Sequence, residues 1–301
     1  MKIIYLGNFD NPYSDVDEKH ITYSLEKLGH EVIPINERYF YQERNRIVEE
    51  VAEGADVFLF HKGGIKFNVA LEDFIELLNH ITCKKVMWFW DKVAIKEIAQ
   101  NREKWVQSVI PFIEYAFLTD ETWARRHNYK NVYILRQGIG DKNAHLGKYR
   151  KEYDVPIAFL GSVYGERIEW VFRLKAIFRE KFKVYNNIFG ENLCDFCASA
   201  KIIVAPKYPQ DDFYWSARIY KILGSGGFLI HPKLYGLKEE FEEGKHYVGY
   251  KTFEELVEKI EYYLKHDEER EKIRLAGHKH CIQNYTYTQR VKKMLEIISE
   301  K

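Results

Sequence analysis

No apolar run long enough to span a membrane and no secretory leader pattern occur in the 301 residues, so a cytoplasmic protein is expected. An excess of one charge is missing too. Lys plus Arg number 46 and Asp plus Glu 45, a formal net charge of +1. That balance gives no global signal for nucleic acid or an anionic membrane as partner and leaves only local patches. Neither first-strand turn, at Gly7 or at Gly161, carries GxGxxG, which argues against a nucleotide-binding oxidoreductase. Cysteine is scarce: Cys83, Cys194, Cys197 and Cys281. Cys194 and Cys197 stand at CxxC spacing, but no second CxxC and no zinc-spaced His pair accompanies them. They lie in NLCDFCASAKIIV, an amphipathic helix leading into a strand, where cysteine often serves as a small hydrophobe. No metal site is expected. Low-complexity segments and fine internal repeats are absent as well.

What is present is apolar and aromatic. Hydrophobic residues make up 46% and aromatics 16%, with 22 Tyr, enough for two cores in a chain longer than one ordinary domain. Short apolar strands alternate with helical segments throughout. KIIYLG opens the chain and is followed by the polar loop 8–17, a helix from Asp17 to the stop at Gly29, and the strand EVIPI. Further strands are expected at 56–60, 85–90, 115–119 and 132–135, then again at 155–160, 183–185, 201–205, 228–230 and 246–250. Three helices close the chain, over 253–266, 267–284 and 287–299. This alternation implies two Rossmann-like, doubly wound parallel-sheet α/β domains, with ligands collecting at strand carboxyl ends in a cleft between them. The charged stretch 141–154 is the expected linker. It gives an amino-terminal domain over 1–150, a carboxyl-terminal domain over 151–285 and a terminal helix over 286–301.

Several carboxyl-end loops are candidates for chemistry. Gly7 ends the first strand. His61, Lys62, Gly63 and Gly64 form either a cleft wall or a glycine turn carrying two basic residues. Asp91, at the end of WFW, could remove an acceptor proton or cap a helix over 92–99. The stretch Asp211–Pro232, DDFYWSARIYKILGSGGFLIHP, carries the densest signal. A polar and aromatic loop runs into a helix bearing Arg218, Tyr220 and Lys221, which closes on Gly224-Ser225-Gly226-Gly227 before an apolar strand. Cations beside a glycine turn suit a bound phosphate; glycines that merely end a helix are the plainer reading.

The runs DVPIAFLGSVYGERIEW, SARIYKILGSGGFLIHPKLYGLKEEFEEGKHYVGY and RLAGHKHCIQNYTYTQRV resemble the two-domain glycosyltransferases of the GT-B fold, and more narrowly the CgeB-like, spore-maturation group with a glycosyl transferases group 1 carboxyl domain. YLGNFDNPYSDVDEKHITYSLEKLGHEV is similar to that family's opening. The resemblance implies a nucleotide diphosphate sugar, with UDP-sugar favoured, as donor substrate in the carboxyl domain. It further implies an acceptor on the amino-domain side, no tightly bound cofactor, metal-independent catalysis and a retaining outcome. Gly161 and Ser162 match the strand-end loop near the diphosphate, Arg167 a basic residue after it, and Arg218 the cation beside the diphosphate. Tyr214 and Ser216 stand where base or sugar contacts are expected, with Tyr220 beside them. Gly226 and Gly227 match a turn that lets backbone approach the nucleotide. Lys221 departs from the pattern, standing where relatives carry an acid for the ribose hydroxyls; a lysine offers donors only. The run YTYTQR resembles the segment before a last helix that crosses back to the first domain.

For an inverting reaction, Glu18, His20 and Asp91 are the candidate bases. Two other classes fit the same architecture: a non-catalytic nucleotide or sugar binder, and a sugar-nucleotide epimerase. Donor sugar, acceptor and oligomeric state are not written in the sequence.

Overall fold

A computed structural model describes residues 1–10, 16–62, 69–93, 100–206 and 211–300, with residues 100 and 101 described as backbone only. Gly63, Gly64 and most of the helix expected over 92–99 lie outside the described residues. Met1–Gln137 and Tyr287–Lys301 form one compact unit, and Gly138–Thr286 the other.

The first unit alternates β1 (Lys2–Gly7), α1 (Asp17–Lys27), β2 (Glu31–Asn36), α2 (Phe40–Ala52), β3 (Val57–Phe60), α3 (Leu71–His80), β4 (Lys84–Phe89), α4 (Gln100–Val109), β5 (Tyr115–Leu118), α5 (Glu121–His127) and β6 (Val132–Ile134). Its six strands are all parallel, in the order β2-β1-β3-β4-β5-β6. Both faces of such a sheet are covered, so its strands read as continuous apolar runs that supply two cores. Ile4, Leu6, Met87 and Phe89 pack on one face. Their neighbours Ile3, Tyr5, Val86 and Trp88 pack on the other. Where such a run carries a polar edge it is satisfied: Trp88 Nε1–H donates to the Leu135 carbonyl at 3.0 Å.

The second unit runs β7 (Ile157–Leu160), α6 (Arg167–Phe178), β8 (Phe182–Tyr185), α7 (Glu191–Ser199), β9 (Ile202–Val204), α8 (Arg218–Gly224), β10 (Leu229–Pro232), β11 (Val248–Tyr250), α9 (Phe253–Tyr263) and α10 (Asp267–Asn284). Its five parallel strands are ordered β11-β10-β9-β7-β8. Counted from the first strand of each unit, both sheets start with the second strand outside the first and the third on its other side. Each therefore reverses direction beside its first strand, and a ligand crevice is expected at the carboxyl ends there.

The last helix, α11 (Tyr287–Ser299), belongs to the first unit. Tyr287, Val291, Met294, Leu295 and Ile298 recur at helical spacing and join the core of Ile3, Tyr5 and Trp88. Lys84 Nζ donates to the Ile298 carbonyl at 2.6 Å, placing a cation at the helix carboxyl end where the backbone dipole favours it. Residues 138–154, including the charged stretch, are part of the second unit. Asp195 on α7 is buried and clasps them. Its carboxylate accepts from Lys148 N at 2.7 Å and from Arg150 Nε at 2.8 Å, and those bonds hold its pKa low. No helix among the described residues is long and apolar enough to cross a membrane.

Candidate functional site

At the switch point of the second sheet, a cavity of about 150 Å³ opens beside the carboxyl ends of β9 and β10. Ala205 and Pro206 follow β9, His231 and Pro232 end β10, and Arg167 and Arg218 begin α6 and α8. Tyr214, Trp215 and Ser216, from the loop before α8, complete its wall. Strand ends supply the floor and helix starts supply the charge.

The charge is positive. Arg218 makes no hydrogen bond or ion pair among the described residues; its guanidinium lies over the Phe159 ring at 5.4 Å. Arg167, buried at the foot of α6, lies over the same ring at 5.5 Å and over the Tyr164 ring at 5.1 Å. Its Nη1 donates to the Ser162 carbonyl at 2.8 Å. Desolvation first, and then the Arg167 charge, lower the Arg218 pKa to about 10. It is still charged at neutral pH. Removing a cation from water without an acid to balance it costs several kcal/mol, roughly, so this arrangement favours an anion entering the cavity. Asp211 is the one carboxylate among the described lining residues; it accepts from Phe213 N at 3.1 Å and forms no ion pair with Arg218.

Gly161 explains how Arg218 fits. Its φ of +140° is a backbone conformation that L side chains rarely adopt, and a Cβ there would stand 2.6 Å from Arg218 Nη2. Its amide donates to the Tyr185 carbonyl at 2.9 Å, so the backbone is tied to the neighbouring strand and cannot easily retreat. The strand-end glycine therefore makes room for the arginine, which is a sharper role than a loop near phosphate. Ser162 contributes its carbonyl to Arg167, while its side chain is exposed and outside the cavity lining.

Other expected contacts fall elsewhere. Tyr220 is fully buried; its hydroxyl accepts from Trp215 Nε1 at 2.8 Å and donates to Glu240, so it supports the loop from behind. Lys221 is not among the lining residues. Gly226 and Gly227 sit at the far end of α8 from Arg218 and act as its stop, with Gly226 N bonded to Leu223 O and Gly227 N to Ile222 O. Gly226 has φ +79°, and a Cβ would meet Leu146 at 2.4 Å; at Gly227 it would meet Ile222 at 2.7 Å. They approach core side chains, not the cavity, so the expected nucleotide contact of this pair is corrected. The sequence reading passed over His231, Trp215 and Asp211 as site residues. A histidine placed directly before proline at a strand end was the available signal for the first.

In the first unit, α1 places Glu18 beside the carboxyl end of β1. The side chain is buried, accepts from Asn8 N at 3.4 Å, and has its pKa raised to about 7 by desolvation, with the charges of Asp17 and Glu37 adding to the rise. Gly7 serves this carboxylate: a Cβ there would stand 2.9 Å from Glu18 Cγ, so the glycine accommodates an acid and is not placed as a donor contact. His20 is buried against α11, its ring stacked on Tyr287 at 6.1 Å. Asp91 is ion-paired with Lys62 at 2.6 Å and lies 3.5 Å from Arg102. Burial alone would raise its pKa, yet the two cations outweigh it and hold the value below that of an ordinary aspartate. That makes Asp91 a poor base. The described residues hold no cluster of three or more His, Cys, Asp or Glu arranged for a metal.

Comparison with known proteins follows the same lines. HepE of Anabaena in complex with UDP and glucose superimposes with a TM-score of 0.72 at 11% identity, covering 100% of both chains. Sucrose-phosphate synthase from Thermosynechococcus elongatus gives 0.70 at 11% identity over 100% of this chain and 98% of that one. A glycosyltransferase from Rickettsia africae gives 0.69 at 12% identity over 99% and 98%. These likenesses show the GT-B fold, with two parallel-sheet α/β units. No curated protein matches the chain significantly. Residues 142–296, more than half of the chain and including both arginines of the cavity, match the family described as glycosyl transferase-like, and the chain belongs to that family.

Proposed function

We propose that this enzyme transfers a sugar from a nucleoside diphosphate sugar, UDP-sugar favoured, to an acceptor hydroxyl, and that it stands with the CgeB-like group of its family. Arg218 carries the reading. A guanidinium left without an acid, aimed into a cavity at the sheet's switch point, is the complement of a diphosphate. In the transfer, the bond between the anomeric carbon and the β-phosphate oxygen breaks, and its electron pair stays on that oxygen. Arg218 would neutralise the charge as it develops, with Arg167 and the Ser162 carbonyl fixing its surroundings. On this reading the guanidinium pair does the neutralising without a bound metal. Retention is the expected outcome, the acceptor proton leaving with the departing diphosphate. If the reaction inverts instead, Glu18 is the best of the amino-unit bases, since a pKa of about 7 is matched to proton transfer near neutrality.

The test is a thermal-shift screen against nucleoside diphosphates and their sugars, repeated with Arg218→Met. A ligand bound only by the folded protein raises its melting temperature, by about 2.7 kcal/mol of stabilisation at a hundredfold excess over Kd. One nucleotide series should raise the wild-type Tm and leave the variant unmoved. The ligand-free variant should be no less stable than wild type, because an unbalanced cation has been removed. Full nucleotide response and full transfer activity in Arg218→Met would end the proposed role. Transfer to acceptors, against conversion of the donor alone, separates a transferase from an epimerase.

A further inference from the structure

One group in the cavity of the second unit has hydrogen-bonding capacity that the fold leaves unused. His231, the penultimate residue of β10, lines the cavity alongside Arg218. Its Nδ1 lies 2.9 Å from the Pro232 carbonyl oxygen. A carbonyl can only accept, so Nδ1 carries the hydrogen. Burial, reinforced by the Arg218 charge, pushes the pKa down to about 4, and the ring is neutral under ordinary conditions. A neutral imidazole with its hydrogen on Nδ1 has a bare lone pair on Nε2. No donor among the described residues reaches it. The Tyr247 ring, edge-on at 6.3 Å, helps hold the plane of the imidazole.

The neighbours define what this lone pair can take. Arg167 and Arg218 offer donors only, which suits phosphate oxygens. A phosphate diester oxygen carries no proton at neutral pH, so Nε2 cannot serve the diphosphate. It needs a hydroxyl or an N–H, and the donor groups flanking a diphosphate are the ribose and the transferred sugar, both rich in hydroxyls. We propose that His231 Nε2 accepts a hydrogen bond from a donor hydroxyl adjacent to the diphosphate and thereby sets which donors the cavity takes. The assignment rests on the donor-binding reading of this cavity given above.

Affinities of UDP, 2′-deoxy-UDP, 3′-deoxy-UDP and UDP-glucose for wild type, His231→Gln and His231→Phe test it, with ligand-free unfolding recorded for each protein. A glutamine carbonyl oxygen can stand in for Nε2, whereas phenylalanine keeps the shape and removes the acceptor. Loss of one such bond should weaken binding about fivefold to tenfold in the Phe variant, with the Gln variant within about twofold of wild type. If the hydroxyl is on the ribose, UDP shows the loss and the deoxynucleotide lacking that hydroxyl binds wild type and Phe variant alike. If it is on the transferred sugar, UDP is indifferent and UDP-glucose shows the loss. Either pattern supports the assignment and names the hydroxyl. Equal affinity of wild type and Phe variant for all four ligands would overturn it, as would a uniform loss for all four that glutamine fails to restore. Should the Phe variant not fold, His231→Asn replaces it; its shorter amide cannot reach the Nε2 position, so retained affinity there counts against the proposal. A wild-type protein that binds none of these ligands, nor any other nucleoside diphosphate, removes the donor reading itself and His231's role with it.

Discussion

Replacing Gly161 by alanine adds one methyl group, and the structure says where it goes. At φ +140° an L residue is strained, which costs on the order of 1–3 kcal/mol when the backbone cannot move. The Tyr185 carbonyl anchors the amide at 2.9 Å, so the strain cannot be relieved by sliding the strand end. The new Cβ would also stand 2.6 Å from Arg218 Nη2 and 3.3 Å from both Arg218 Cζ and Phe159 Cζ. Phe159 is fully buried and fixed, so the arginine must yield. A guanidinium displaced by even half an ångström or so loses the alignment of a charge-assisted hydrogen bond, worth about 1.5–3 kcal/mol, or roughly 10- to 100-fold in affinity.

Gly161→Ala should therefore fall in Tm by several degrees, at about 2–4 °C per kcal/mol for a unit of this size. Its nucleotide affinity should drop roughly 10- to 100-fold, read by titration calorimetry with UDP. Gly244→Ala is the control: Gly244 has φ +78° with nothing within 4 Å of its added Cβ, so it isolates backbone strain in the same unit. That variant should lose stability and keep its affinity. In an Arg218→Met background, Gly161→Ala should cost almost no further affinity, because the two changes remove the same contact. The reasoning is refuted if Gly161→Ala binds UDP as wild type does while losing as much stability as Gly244→Ala. Additive losses in the double variant would refute it equally.

Two further predictions concern the first unit. Glu18 has its pKa raised from 4.5 to about 7, so the folded state holds its proton more tightly than the unfolded chain. Stability should fall as pH rises from about 4.5 through 7 and level off above, a loss of ~3 kcal/mol at 1.36 kcal/mol per pKa unit. Glu18→Gln should flatten that fall and unfold at a higher temperature than wild type at pH 8; a wild-type pH profile in the variant would show that Glu18 is not the group responsible. Glu121, buried beside β6, pairs through Oε2 with the buried Arg136 at 2.6 Å and through Oε1 with Arg125 at 2.6 Å, so Arg136→Ala would take away one of its two cations. A cost of about 1.5–3 kcal/mol in denaturant unfolding is expected, for one lost charge-assisted hydrogen bond to a buried carboxylate, and a loss below about 0.5 kcal/mol would contradict the burial argument.

The alternation of strands and helices was legible because every strand is a short apolar run bounded by polar or glycine signals, and parallel pairing buries both of its faces. α11 was legible for the same kind of reason: Tyr287, Val291, Met294 and Ile298 leave one helical face with no polar alternative. Strand order was not, since nothing in β1 or β3 says which neighbour it takes. The helix over Gln100–Val109 was missed because NREKWVQSV shows few apolar residues, and three, Trp105, Val106 and Val109, carry its burial. Arg218 and Gly161 were each singled out through the resemblance, but their steric dependence was not legible, because it is a contact between strand and helix ends far apart in the chain. Gly226 and Gly227 misled for the opposite reason: a glycine that stops a helix against Leu146 and Ile222 has the same local sequence as one that approaches a ligand. Asp91 needed Lys62 and Arg102 in view before its basicity could be judged.

The two sheets share one winding order, yet the groups at their switch points are opposite in character. Both offer a crevice beside the first strand, so backbone geometry alone cannot distinguish their ligands. Side chains do. Beside β7, two guanidiniums gather over one phenylalanine with no acid paired to Arg218, and an anion lowers the electrostatic cost of that arrangement. Beside β1, burial first and then the charges of Asp17 and Glu37 raise the Glu18 pKa, and Glu18 keeps its proton to about pH 7. A second diphosphate there would be repelled; a hydroxyl or a cation would not. The asymmetry predicts that nucleoside diphosphates protect one switch point and not the other. In hydrogen exchange, UDP should slow the amides of 161–167 and 214–220 and leave those of 7–10 and 16–20 unchanged. Protection at both would mean that the fold's crevice, and not its charge, selects the ligand.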